Sequence, residues 1–236
     1  MAHYRHRRGI AMIELIFAIV IIGIILLPAP QLVSTSANSG FVATQQEAIS
    51  EAASRVNTIL GYSWDENNTD YTYIPTVLNV SNGNVGLDKN ATTGKRNGTP
   101  PESYRSFLRA DGQEFNASLA LGSDGGDLDD MDDFNGNISL VDMNASDSDY
   151  IDKTVQIATA VTYSSDGIAA GSYTDSNGGN AIVHHTNFAA ATASTNIKLI
   201  TVTLTNTNGT EELNKNIVLH AFSCNIGGYD LEERTF

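Results

Sequence analysis

Glu14 is the single charged side chain in an apolar run of 18 residues, Ile10 to Leu27. A carboxylate inside a bilayer costs at least ~2.5 kcal/mol and needs a partner or a task. The run follows a short basic leader that ends Arg7-Arg8-Gly9. A second acidic feature lies at Asp124 to Asp133, where six of ten residues are aspartates. Aspartate oxygens are what calcium takes, although no Glu stands at the twelfth position of an EF-hand loop. Two readings stay open there: a solvated acidic loop, or a weak calcium site with Asp127, Asp129, Asp130, Asp132 and Asp133 as ligands. Eight Asn-x-Ser/Thr sequons occur, at Asn67, Asn79, Asn90, Asn97, Asn116, Asn137, Asn144 and Asn208. Those at Asn67, Asn90, Asn116 and Asn144 carry an acid two residues upstream. They are candidate glycosylation sites if they lie on exposed loops, set against an Asn- and Asp-rich surface that means nothing more.

Other chemistry is absent. His184 and His185 are adjacent and point to opposite faces of an extended segment, a poor start for a zinc site. No nucleophile elbow and no phosphate-binding glycine loop occur, so an enzyme is not expected. Cys224 is the only cysteine, which forbids an intrachain disulfide and leaves a buried free thiol or a bridge between chains. Lys and Arg number 13 against 27 Asp and Glu. Without residues 1–9, which hold Arg5, Arg7 and Arg8, the balance is 10 against 27, or −17. Such a surface repels nucleic acid phosphates, and nucleic acid is not an expected partner.

The elements that hold these residues follow from periodicity. At ~1.5 Å per residue, Ile10 to Leu27 makes a helix about 27 Å long, close to the ~30 Å core of a membrane. Pro28 and Pro30 lack an amide donor and should kink the helix. Beyond Gln31 the pattern resumes, with Phe41, Ala48, Ala52, Val56 and Ile59 on one face, ending near Leu60 with Gly61 as the cap. Tyr71 to Val80 reads as an edge strand at best, because of Pro75, and Asn82 to Pro101 as a long loop. Thr154 to Tyr163 alternates Val155, Ile157, Thr159, Val161 and Tyr163 on one side, and Ile197 to Thr205 alternates Ile200, Val202 and Leu204. Asn216 to Phe222 returns after a turn as the partner of a C-terminal hairpin. The class is α+β: a long N-terminal helix, transmembrane in its first half, packed on an antiparallel sheet. The expected divisions are a leader 1–9, a membrane or filament-core helix 10–30, an amphipathic continuation 31–61 and a β-rich domain 62–236.

A secretory signal peptide explains the basic start, with Ser34-Thr35-Ser36 for cleavage, but an acid within its apolar region argues against it. A plain anchor explains the length but neither Gly9 nor Glu14. The segment Arg7-Arg8-Gly9-Ile10 through Glu14 instead resembles the class III leader and first helix of type IV pilins and pseudopilins. That resemblance implies cleavage after Gly9 by a prepilin peptidase, N-methylation of Ile10, and an assembly role for Glu14 as the fifth mature residue. Ile10 departs from the phenylalanine commoner at that place. Tyr62-Ser63-Trp64-Asp65-Glu66, Asp129-Asp130-Met131-Asp132-Asp133-Phe134 and Ile197-Lys198-Leu199-Ile200-Thr201-Val202-Thr203 resemble minor pilins of the mannose-sensitive haemagglutinin type. The implied partners are other pilin subunits, the peptidase and the inner-membrane assembly machinery. The basic leader would stay on the cytoplasmic side, with the rest in the periplasm and later in a pilus. The alternatives are a major pilin, or a membrane-tethered binding protein that does not polymerise.

Overall fold

The computed structural model describes residues 8–97, 105–124, 126–142, 154–167, 189–206 and 216–228. The chain divides into two compact units, Met1–Glu47 and Ala48–Phe236. In the first, helix α1 runs Arg8–Leu26 and helix α2 starts at Ala29 and continues to Leu60. Leu27 N–H still reaches the Gly23 carbonyl at 3.1 Å, and Leu32 N–H takes the Pro28 carbonyl at 2.9 Å. Between them Pro28 and Pro30 have no donor to offer, and the ladder breaks for two residues where the prolines predict it. Large apolar side chains of α1 are exposed on every side, Phe17 at 64% and Ile24 at 68%. A helix apolar all round is stable in lipid or in a packed core and not in water. The segment is long and apolar enough to cross a membrane.

The second unit is built on a sheet of four antiparallel strands among the described residues, in the order β1 (Ile138–Asp142), β2 (Thr154–Ser164), β3 (Ile197–Asn206) and β4 (Ile217–Cys224). Register aligns the inward rows across three strands. Val161 faces Ile200 and Ile200 faces Ala221, while Thr159 faces Val202 and Val202 faces Leu219. Ala48, Ala52 and Ile59 at the end of α2 join Ile157, Val161, Ile200, Val202 and Leu204 in one core, with Met131 and Phe134 from the acidic segment. The unit boundary therefore falls inside α2 and not at its end, because its last turns belong to this core. A smaller cluster joins Trp64, Leu78, Ala117 and Tyr163.

Three details differ from expectation. Tyr71 to Val80 is not a strand: its amides go singly to other loops, as Val77 N–H to the Ser106 carbonyl at 2.9 Å. β1 has no counterpart in the periodicity reading, being five residues long and held by β2 more than by its own pattern. Gly61 closes α2 without a left-handed turn, its N–H reaching Thr58 at 3.0 Å. A core with no water contact at Ile200 loses both transfer energy and packing when truncated. Ile200→Ala should destabilise the detergent-solubilised protein by ~2–5 kcal/mol, whereas Val218→Ala, at an exposed site of β4, should stay within ~0.5 kcal/mol. Chemical unfolding followed by Trp64 fluorescence measures both.

Candidate functional site

Two sites carry charge where charge is costly. The first is on α1. Gly9 and Ile10 lie within the helical backbone, and Glu14 is exposed among apolar neighbours. Among the described residues Glu14 has no hydrogen-bond or ion-pair partner, so its compensation must come from elsewhere. The described side chains of the helix present the carboxylate among apolar neighbours.

The second site is around Lys198, which strand β3 carries inward in the same row as Ile200, Val202 and Leu204. Its side chain is fully buried. The ammonium donates to the Trp64 carbonyl at 2.6 Å, to Asp65 Oδ2 at 3.1 Å and to Asp132 Oδ1. Nζ also lies 4.4 Å from the Trp64 ring centre and 5.6 Å from that of Tyr163, where the π-faces add attraction in a dry site. Three donors thus meet three acceptors, as an ammonium without water requires.

Each acceptor is positioned by local backbone chemistry. Asp65 caps the 3-10 turn Glu66–Asn68 that follows α2, accepting from Asn67 N–H at 3.3 Å. It also accepts from Ser118 N–H at 3.0 Å and Ser118 Oγ at 3.1 Å. Asp132 opens a 3-10 turn, Asp132–Phe134. That turn is wound by its own acids: Asp130 Oδ1 accepts from the amides of Asp132 at 2.8 Å and Asp133 at 3.0 Å, and Asp133 Oδ2 from those of Asp129 and Asp130. The two segments are tied where Met131 N–H meets the Ser63 carbonyl at 2.9 Å. Beyond the turn, Asn135 Oδ1 accepts from Val161 N–H at 3.0 Å and straps the loop to the edge of β2. Gly136, at φ +76, makes the reversal into β1 that a side chain would resist. Tyr163 hydroxyl donates to the Ser118 carbonyl at 2.5 Å.

Burial dominates the titration of this group. Asp130 is pushed up to about 8, first by loss of solvent and then by the charge of Asp132 beside it. Asp132 is also raised by burial, against the pull of the Lys198 ammonium. Asp130 is thus pushed toward its neutral form, while Asp132 faces the cation. Glu66 is raised to about 7 by burial and by Asp129, and burial raises the Tyr163 phenol and the Cys224 thiol.

The other expected residues fall as follows. The five aspartates do not converge: Asp127 is exposed, Asp129 half-buried, and Asp130, Asp132 and Asp133 are buried and turned to amides or to Lys198. Among the described residues no three acids, histidines or cysteines are grouped to hold a metal ion. Desolvated carboxylates of this segment serve as caps and counter-ions instead. Asn67, Asn90 and Asn116 are exposed, but the Ser118 hydroxyl of the third sequon is bound to Asp65. Asn90 Oδ1 accepts from the amides of Thr92 and Thr93. Asn144, His184 and His185 lie outside the described residues. Cys224 is free and half-buried. The Lys198–Asp65–Asp132 group was missed, though the strand's alternation places Lys198 on the same side as Ile200, Val202 and Leu204. A lysine in the inward row of a confident strand is itself the signal for buried carboxylates elsewhere.

Residues 4–30 match a family model described as the prokaryotic N-terminal methylation motif. Neither the curated proteins nor the solved structures hold a match to the chain. The matched segment contains Gly9, Ile10 and Glu14, and the N-terminus is type IV pilin-like.

Removing Lys198 strands two buried carboxylates. Lys198→Met should cost ~3–5 kcal/mol, and a further Asp132→Asn should restore part of it; urea titration of the detergent-solubilised chain reads both. A pH trend follows as well. Asp130 and Glu66 bind protons more tightly folded than unfolded, so their contribution is complete below the ordinary carboxylate range. It is lost as pH rises through about 7 and 8. The thermal midpoint should fall from pH 5 to about pH 8, and Asp130→Asn should flatten that fall.

Proposed function

We propose that this chain is a minor pilin or pseudopilin, cleaved between Gly9 and Ile10, methylated on Ile10, and assembled through its N-terminal helix into a type IV pilus-like filament. The match over residues 4–30 carries the reading. An apolar helix whose Glu14 has no partner among the described residues supports it. The helix is stable in lipid before assembly and can be transferred to a packed core of identical helices. The second unit stays outside the membrane, and its role is that of a structural subunit.

Glu14 supplies what apolar contact lacks. Hydrophobic burial is non-directional, so helices that are apolar all round could slide along one another. Cleavage creates a charged amine on Ile10, and that amine on one subunit can pair with Glu14 of its neighbour. The pair compensates part of each group's desolvation and sets the axial register.

Mass spectrometry of the membrane form should find a chain beginning at methylated Ile10. An intact leader, or a start near Ala37, would contradict this. Glu14→Ala should insert in the membrane at normal level yet be depleted at least about tenfold from sheared filaments, as loss of a buried pair of ~3–5 kcal/mol implies. Immunoblots of membrane and filament fractions compare the two. Dominance of the filament by this chain would instead make it a major subunit.

A further inference from the structure

The centre around Lys198 holds the reactants of a condensation as well as an ion network. A fully buried primary amine touches the carboxyl of Asp132, and a second carboxyl, Asp65, lies 3.1 Å from the same nitrogen. A third carboxyl, Asp130, accepts from the Asp132 amide at 2.8 Å. The rings of Trp64 and Tyr163 cover the nitrogen at 4.4 and 5.6 Å. We propose that Lys198 and Asp132 become joined in the folded chain by an intramolecular amide bond, with Asp65 as proton acceptor and Asp130 as proton donor.

In water an ammonium and a carboxylate do not condense, because the nitrogen lone pair is protonated and the carboxylate is a poor electrophile. Condensation needs the neutral amine beside the neutral acid, and a proton passed within the water-free contact between Lys198 and Asp132 gives that pair. Asp65 is suited to be the base. Its oxygens accept from Ser118 N–H, Ser118 Oγ and Asn67 N–H, which hold the carboxyl in place against Nζ. Asp132 is placed differently, with the amine against its Oδ1 and the Asp130 carboxyl on its backbone amide.

The step balances without any oxidant or cofactor. Asp65 takes one proton from Nζ, and Asp130 passes one to the Asp132 carboxyl. The nitrogen lone pair forms a bond to Cγ of Asp132, and a C–O bond breaks. The departing oxygen leaves as water with two protons, both drawn in net from Nζ, and Asp65 and Asp130 return to their starting states. Ammonium plus carboxylate become amide plus water. The clasp would tie the acidic loop to β3 across 66 positions of the chain, in a protein with one cysteine and therefore no disulfide within the chain. It goes beyond the pilus reading and stands or falls apart from it.

The test is intact mass spectrometry of the full chain, purified from membranes in detergent and then denatured. The wild type should be lighter than its processed sequence by one water, about 18 Da. Tandem spectra of a digest should show a branched peptide joining Lys198 to Asp132. Lys198→Met and Asp132→Ala should recover the missing water, and Asp65→Asn should lower the cross-linked fraction about tenfold, as loss of a general base does. The wild-type digest decides the matter even if the variants do not fold. The full unmodified mass overturns the proposal, and so does a missing water located at an Asp-Gly succinimide or at Asp65.

Discussion

A lysine ammonium with no access to water has to be met by acceptors from whatever parts of the chain can reach it, and Lys198 draws the second unit together on those terms. Its three acceptors come from the turn after α2 and from the acidic loop, 134 to 66 residues away in sequence. Neither segment is regular enough to place itself. Each is wound locally by side chains that take backbone amides, Asp65 in one case and Asp130 with Asp133 in the other. The ammonium then fixes where both lie against β3. Apolar packing alone would tolerate a range of positions for these turns, whereas three donors in one direction tolerate few.

The same logic explains why an aspartate-rich segment is buried. Met131 and Phe134 are the apolar residues that anchor it, and Phe134 meets Tyr62 edge-on at 5.0 Å and Arg55 at 4.9 Å. Bringing these into the core carries their acidic neighbours with them. Burial is tolerable because Asp130 and Asp133 accept backbone amides and Asp132 pairs with Lys198. The segment is thus a packing element with charges that had to be handled, and its composition alone suggests the opposite.

The chain therefore handles charge in an apolar place in two ways. Lys198 is compensated inside its own fold. Glu14 has no partner among the described residues, and the helix that bears it offers only apolar neighbours. Under the proposed function its compensation is supplied by a group on another subunit.

The N-terminal segment could be read from sequence almost entirely. Glu14, Gly9 and the apolar run are contiguous, and the lengths of helix and membrane follow from composition. The proline break and the end of α2 at Leu60 are local backbone effects, and β2, β3 and β4 show a period of two strong enough to be recognised. β1 could not be read, because five residues carry too little pattern and their pairing comes from β2. Nor could the Lys198 centre, since Lys198, Asp65 and Asp132 lie on three segments that only long-range pairing brings together. Lys198 in the inward row told that some carboxylate had to be buried. Which carboxylates those were depended on the strap from Asn135 to β2 and on the turn after α2, and these are decided by the hydrogen-bond needs of the folded sheet and loops.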